Sequence, residues 1–179
     1  MSQASARDAN LLGSLGLAVS DRMRAAAEDE LGLGGSAPSA LVALSTYLAD
    51  QPLEVIASAF EITPSAVVRL VDRLEAEGLV KRRPGPDKRR VCVRLTAAGE
   101  RRAKAISARR ERVLGDVLGA LTSAEQRELT RLNEKLLGQL PEDVQAAGRV
   151  CRFCDPHACG HYEGRCPVTN GIDARGLRG

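Results

Sequence analysis

A chain of 179 residues with a formal net charge of +3 suits one compact domain with a small appendage; it can bury a core but leaves no room for a second large domain. Apolar residues are mostly Ala, Leu and Val, and aromatics make up only 2%, which favours packed amphipathic helices over an aromatic-rich sandwich of strands. No apolar run approaches a membrane span, because the stretch from Leu11 to Val19 is interrupted by Gly13 and Gly16, so no membrane partner and a cytoplasmic location are expected.

Residues 1–9 are small and polar and are expected to be disordered, after which Leu11, Leu15, Ala18, Val19, Met23 and Ala26 follow helical spacing to about Leu31. A Gly-rich loop leads to Pro38, which opens a helix over 38–49, and Pro52 opens a short one over 52–60. The next helix, 63–77, has Thr63 as N-cap, Pro64 as first helical residue and Gly78 as its left-handed stop. Val67, Leu70, Val71 and Leu74 form its inward stripe, leaving Ser65, Ala66, Arg69, Asp72 and Arg73 on other faces. Two strands fit 79–83 and 90–95, the second alternating Val91, Val93 and Leu95 with Cys92 and Arg94, around a turn at Pro84-Gly85-Pro86-Asp87. Thr96 caps a long helix to about 121, and Thr122-Ser123-Ala124-Glu125 is a capping box for one more to about 140, where Pro141 ends the regular fold.

A short helix, a tight turn, a capped helix and a basic hairpin suit a reader of double-stranded DNA, since an α-helix fits the major groove and its N-terminal residues reach base edges. From Lys81 to Arg112 the chain carries 13 Lys and Arg against 3 Asp and Glu, an electrostatic footprint suited to phosphate. Arg69 can donate two parallel hydrogen bonds to a guanine edge, Thr63 and Ser65 can reach phosphate or base, the small Ala66 allows close approach, and Arg73 extends the same helix surface. Taken alone, Arg69 reads as half of a surface ion pair with Asp72; beside a basic hairpin it reads as a base contact.

The run from Ser65 to Val80, followed by Asp87-Lys-Arg-Arg-Val-Cys-Val-Arg-Leu-Thr-Ala-Ala-Gly99, strongly resembles the multiple-antibiotic-resistance regulator (MarR) family, over roughly residues 10–140. The resemblance implies a mainly α-helical winged helix-turn-helix fold in an intertwined homodimer, with 36–99 reading DNA and 10–32 and 100–140 supplying dimerisation helices. It implies palindromic operators, most commonly repressed, and often a small-molecule effector between the dimer helices and the reading head. It assigns Arg89 to the minor groove and Asp87 to orienting the hairpin, while Lys88 and Arg90 track phosphates. Relatives that sense oxidants place the reactive thiol near the first helices, so Cys92 reads as a half-buried strand cysteine.

Residues 141–179 lie outside that pattern and form a second signal, with Cys151, Cys154, Cys159 and Cys166 spaced C-x2-C-x4-C-x6-C over 151–166. Four thiolates satisfy a tetrahedral site, so structural zinc is expected, with an Fe–S cluster as the alternative and His157 or His161 as substitute ligands. So little apolar surface predicts that metal, not burial, organises this tail. Zinc would make it a clamp, whereas a cluster would make the protein a redox or iron sensor. An enzyme is the competing class, and it lacks support: both histidines lie in the tail, and there is no Gly-rich phosphate loop, nucleophile elbow or zinc-protease helix. An interaction module that has lost DNA binding is opposed by the presence of Arg69, Asp87 and Arg89.

Overall fold

Local caps set the helix starts. Thr63, Thr96 and Thr122 each accept a backbone N–H three residues on, and Glu125 reaches back to the Thr122 N–H at 2.8 Å to complete the capping box; such caps stabilise a helix by about 1 kcal/mol each. The computed structural model describes residues 5–85 and 90–177. In chain order it contains α1 (Ala6–Leu31), α2 (Ala37–Leu44), α3 (Leu53–Phe60), α4 (Pro64–Ala76), β1 (Val80–Pro84), β2 (Val91–Leu95), α5 (Ala97–Leu118), α6 (Ser123–Leu137), α7 (Val144–Val150), a 3-10 turn (His161–Glu163) and α8 (Pro167–Ala174). The fold is thus mainly helical with one two-stranded antiparallel hairpin, in register Val80 opposite Leu95 and Pro84 opposite Val91.

The core sits where α2, α3, α4 and the hairpin meet the N-terminal half of α5. Leu41, Ile56, Val67, Val71, Leu74, Val93 and Ile106 are essentially inaccessible, and each contributes roughly 1.5–3 kcal/mol by burial. The inward stripe expected on α4 is the buried one: Val67, Leu70, Val71 and Leu74. α1 packs along α5. Two arginines of the basic helix fasten that pair, Arg102 donating to the Glu30 carbonyl at 2.8 Å and Arg109 to the Glu30 carboxylate at 3.3 Å.

The close of the hairpin explains the Leu-Thr-x-x-Gly run. Thr96 Oγ1 donates to the Gly78 carbonyl at 2.7 Å, drawing the start of α5 onto the end of α4. A Cβ at Gly99 would lie 2.0 Å from the Leu79 carbonyl oxygen, so only glycine admits this approach.

Five expectations are corrected. The helix expected to follow a disordered 1–9 begins already at Ala6, because the Ser5 side chain caps it by accepting the Asp8 N–H at 3.1 Å. The helix expected over 38–49 ends at Leu44, and the chain turns through Asp50 at φ 57°, where the Asp50 carboxylate receives Arg94 of β2 at 2.7 Å. β2 does not alternate: Val91 is exposed while Cys92 and Val93 are both buried, since β2 also leans on the α2–α3 turn through Val93 N–H to the Gln51 carbonyl and a bridge to Pro52. Cys92 is therefore fully rather than half buried. Finally, Pro141 does not end the regular structure. The tail folds into α7, the 3-10 turn and α8, and docks by apolar burial of Val168 and Ile172, with Phe153 packed against the main core.

Candidate nucleic-acid interface and the cysteine-lined cavity

α3 and α4 form a helix-turn-helix joined through Glu61, which takes the left-handed conformation at φ 49°. Thr63, Ser65, Arg69 and Arg73 are exposed on α4 and Ala66 is half-buried, so the outer face of the helix carries the polar residues expected there. The Thr63 and Ser65 hydroxyls lie 3.1 Å apart at its N-terminus. Arg69 does not pair with Asp72. That carboxylate is taken by Arg82 of β1 at 2.6 Å, and Arg82 also grips Glu75, whose carboxylate accepts the Arg82 N–H at 3.0 Å. Among the described residues Arg69 has no hydrogen-bond or ion-pair partner, which leaves its five donors available. Arg73 instead donates to the Gly34 carbonyl at 2.9 Å and braces the loop before α2.

Sequence reasoning missed Arg82. It stands in a run of basic residues that reads as solvated, and only the fold shows that it locks the hairpin to α4, setting the angle between the two reading elements. The hydrogen bonds from Arg82 hold the Glu75 carboxyl below the usual carboxylate range. Arg94 does the same to Asp50 at the base of the hairpin. Lys81, Arg83 and Arg90 are exposed along the hairpin. Asp87, Lys88 and Arg89, expected at its tip, lie outside the described residues.

The tail cysteines meet beside this head. Cys151, Cys154, Cys159 and Cys166, with His161, line one cavity of about 780 Å³ that Tyr47, Val55 and Ser58 also line. All five cysteines of the chain are free thiols. Their environments differ. Cys151 is lowered by a hydrogen bond with Cys154, which is itself pushed up by that bond and by burial. Burial and the neighbouring Cys154 push Cys159 up to about 12. At Cys166 burial pulls upward, but hydrogen bonds from Thr169 and His161 prevail and lower the thiol to about 7. Among the described residues, no group of three or more His, Cys, Asp or Glu side chains already stands in the arrangement of a metal site. His157 stacks at 4.9 Å on Tyr162, and His161 Nδ1 lies 3.3 Å from Thr169 Oγ1.

The tail is tied at both ends. Tyr47 Oη donates to the Gly148 carbonyl at 2.9 Å, and Arg149 pairs with Glu61, fastening α7 to the helix-turn-helix. At the other end Gly171 of α8 meets Gly138 so closely that a Cβ there would lie 2.0 Å from the Gly138 oxygen, and Arg175 donates to the Gln139 carbonyl at 3.2 Å. The tail thus spans from α6 to α3. Among the described residues no helix is long and apolar enough to cross a membrane.

A family model described as the MarR family matches residues 31–90, the segment from the end of α1 to the start of β2. The HTH-type transcriptional repressor MdtR of Bacillus subtilis (strain 168) is 31% identical over 105 residues, covering 57% of this chain and 68% of that protein. In fold the chain is similar to the YusO protein of Bacillus subtilis, with a TM-score of 0.62 at 24% identity over 75% of this chain and 97% of that one. A Staphylococcus aureus MepR mutant bound to an oligodeoxyribonucleotide gives a TM-score of 0.57 at 20% identity, covering 72% of this chain and 94% of that one. With the helix-turn-helix, the hairpin and the glycine that closes it all in place, the chain belongs to the MarR family of transcription regulators.

Proposed function

We propose that the protein is a homodimeric repressor that binds palindromic double-stranded DNA operators, with α4 in the major groove and the hairpin against the neighbouring backbone and minor groove. The observation that carries this reading is Arg69: exposed on the outer face of a capped helix and without a partner among the described residues, while its expected mate Asp72 is held by Arg82. Arg83 and Arg90 add positive charge for phosphates on the hairpin, and Arg89 retains the minor-groove role that the family resemblance gives it.

Dimerisation is supported by apolar surface with no cover in one chain. Leu11, Leu12, Leu15 and Leu17 of α1 and Leu132 and Leu136 of α6 are between 41% and 70% exposed, and α6 buries no residue at all. A 15-residue helix in that condition gains little from its own chain and needs a partner surface. A second copy supplies one, and its two-fold symmetry accounts for a palindromic target.

The regulating signal enters through the tail or through a small effector. A cavity of about 540 Å³ where α1, the end of α3 and the tail meet, lined by Glu28 as well as Arg24, Arg149 and Arg152, offers room for such an effector.

Arg69→Ala tests the central contact. On a duplex chosen by the wild-type protein, it is expected to weaken binding by about 30-fold or more, because each of the two half-sites loses a bidentate base contact of roughly 1–3 kcal/mol. Arg131→Ala, which removes an exposed pair with Glu128 on α6, is expected to leave affinity unchanged. Equal affinity of wild type and Arg69→Ala in a filter-binding titration contradicts this use of α4.

A further inference from the structure

The tail is built so that four sulfurs from distant positions face one space. The Cys154 N–H donates to the Cys151 carbonyl at 2.8 Å, closing the Cys-x-x-Cys turn at the end of α7. The Asp155 carboxylate then accepts the His157 and Ala158 N–H groups at 2.8 and 3.3 Å, which turns the chain back and brings Cys159 alongside. Two glycines in the left-handed conformation, Gly160 at φ 70° and Gly164 at φ 69°, reverse it again before Cys166, the N-cap of α8. Val168, Ile172 and Phe153 dock the tail together with the buried Cys166, while Cys151, Cys154 and Cys159 are only partly buried at the cavity.

An independent observation points to negative charge at this place. The charge of Arg110 on α5 acts on the Cys154 thiol, and its Nε is buried with no hydrogen-bond partner among the described residues. A buried cationic donor without an acceptor is costly. A neutral thiol is a weak acceptor, whereas a thiolate is a good one, and thiolates persist in a buried apolar cavity when a metal shares their charge.

We propose that Cys151, Cys154, Cys159 and Cys166 hold a thiolate-ligated metal centre in this cavity, a zinc ion or an iron–sulfur cluster, whose negative charge Arg110 of α5 partly offsets. The thiols border the space without converging on a point, so metal entry draws the two Cys-bearing turns inward. Since α7 is fastened to α3 and α8 to α6, that movement bears on the angle between the dimer arm and the reading head. This last consequence rests on the DNA-binding reading above; the metal centre itself does not.

The test is metal, iron and acid-labile sulfide content with an absorption spectrum on full-length protein purified without oxygen. Beside it stand Cys154→Ser/Cys159→Ser, Cys92→Ser and Arg69→Ala. About one zinc per chain in a colourless protein identifies a zinc centre, and a brown protein with iron and sulfide identifies a cluster. In either case the double variant is expected to lose the metal, whereas Cys92→Ser and Arg69→Ala keep it, so loss of metal and loss of DNA binding remain separate readouts. Chelator competition on the wild type and on Arg110→Met, with all four thiols present, avoids dependence on a variant that misfolds; Arg110→Met is expected to weaken retention by about tenfold. Wild-type protein that takes up neither zinc nor iron with sulfide, or metal that survives the double variant, overturns the proposal.

Discussion

Leu132→Glu/Leu136→Glu is expected to convert the dimer to monomers and to weaken operator binding by about a thousandfold or more. The two leucines stand one helical turn apart on α6, at 41% and 47% exposure, on a helix that buries none of its own residues within the chain. In a symmetric dimer each substitution acts twice. Fully burying one leucine contributes roughly 1.5–3 kcal/mol, and since less than half of each remains exposed, the four sites together supply about 3–5 kcal/mol of association before charge repulsion is counted. A monomer presents one α4 to one half-site and loses the second as an effectively intramolecular contact. Sedimentation velocity checks the first half of the prediction. A double variant that remains dimeric at micromolar concentration places the dimer interface elsewhere.

The second large effect belongs to Gly99. Gly99→Ala is expected to lower the thermal midpoint by about 6–12 °C, from a loss of about 3 kcal/mol in a chain of this size. The added methyl would sit 2.0 Å from the Leu79 carbonyl oxygen, and the obstruction is backbone, which cannot rotate away as a flexible side chain can. Relief requires α5 to back off from the end of α4, stretching the Thr96 hydrogen bond to the Gly78 carbonyl and tilting the hairpin. Calorimetry reads the midpoint directly. A variant that melts with the wild type shows that this close approach is absent in solution.

Much of the reading head was legible because its determinants are local. Thr63, Thr96 and Thr122 announce helix starts through hydrogen bonds spanning three residues, and the stripe Val67, Leu70, Val71, Leu74 follows from helical period alone. What failed was set by partners distant in sequence. The helix expected to run to residue 49 stops at Leu44 because the following turn meets β2 through Asp50 and Arg94, 44 residues apart. Cys92 is buried against the same turn, so strand alternation gave the wrong face. In the tail, the cysteine count drew attention from Val168 and Ile172, whose i, i+4 spacing on α8 was readable and explains how the segment docks. The Gly138–Gly171 approach and the Arg110 Nε, unpaired among the described residues, had no sequence signal, since one depends on a helix crossing and the other is one arginine among many on α5.

Those same long-range ties give the molecule its logic as a regulator. Arg82 holds the hairpin to α4, Arg102 and Arg109 hold α1 to α5, and the tail joins α6 to α3. The first two ties act within the reading head and within the dimer arm; of the three, only the tail joins one to the other. A change at the tail therefore has a physical route to α4 through α3, which packs directly on it.

The measurement that bears most directly on this account is selection of bound fragments from a random duplex library by the full-length protein at near-physiological salt. The account predicts enrichment of a two-fold symmetric sequence whose half-sites are centred about 10 base pairs apart, or a multiple of that spacing, with enrichment abolished by Arg69→Ala. Recovery of duplexes with no shared sequence, or of the same sequence by Arg69→Ala, would contradict it.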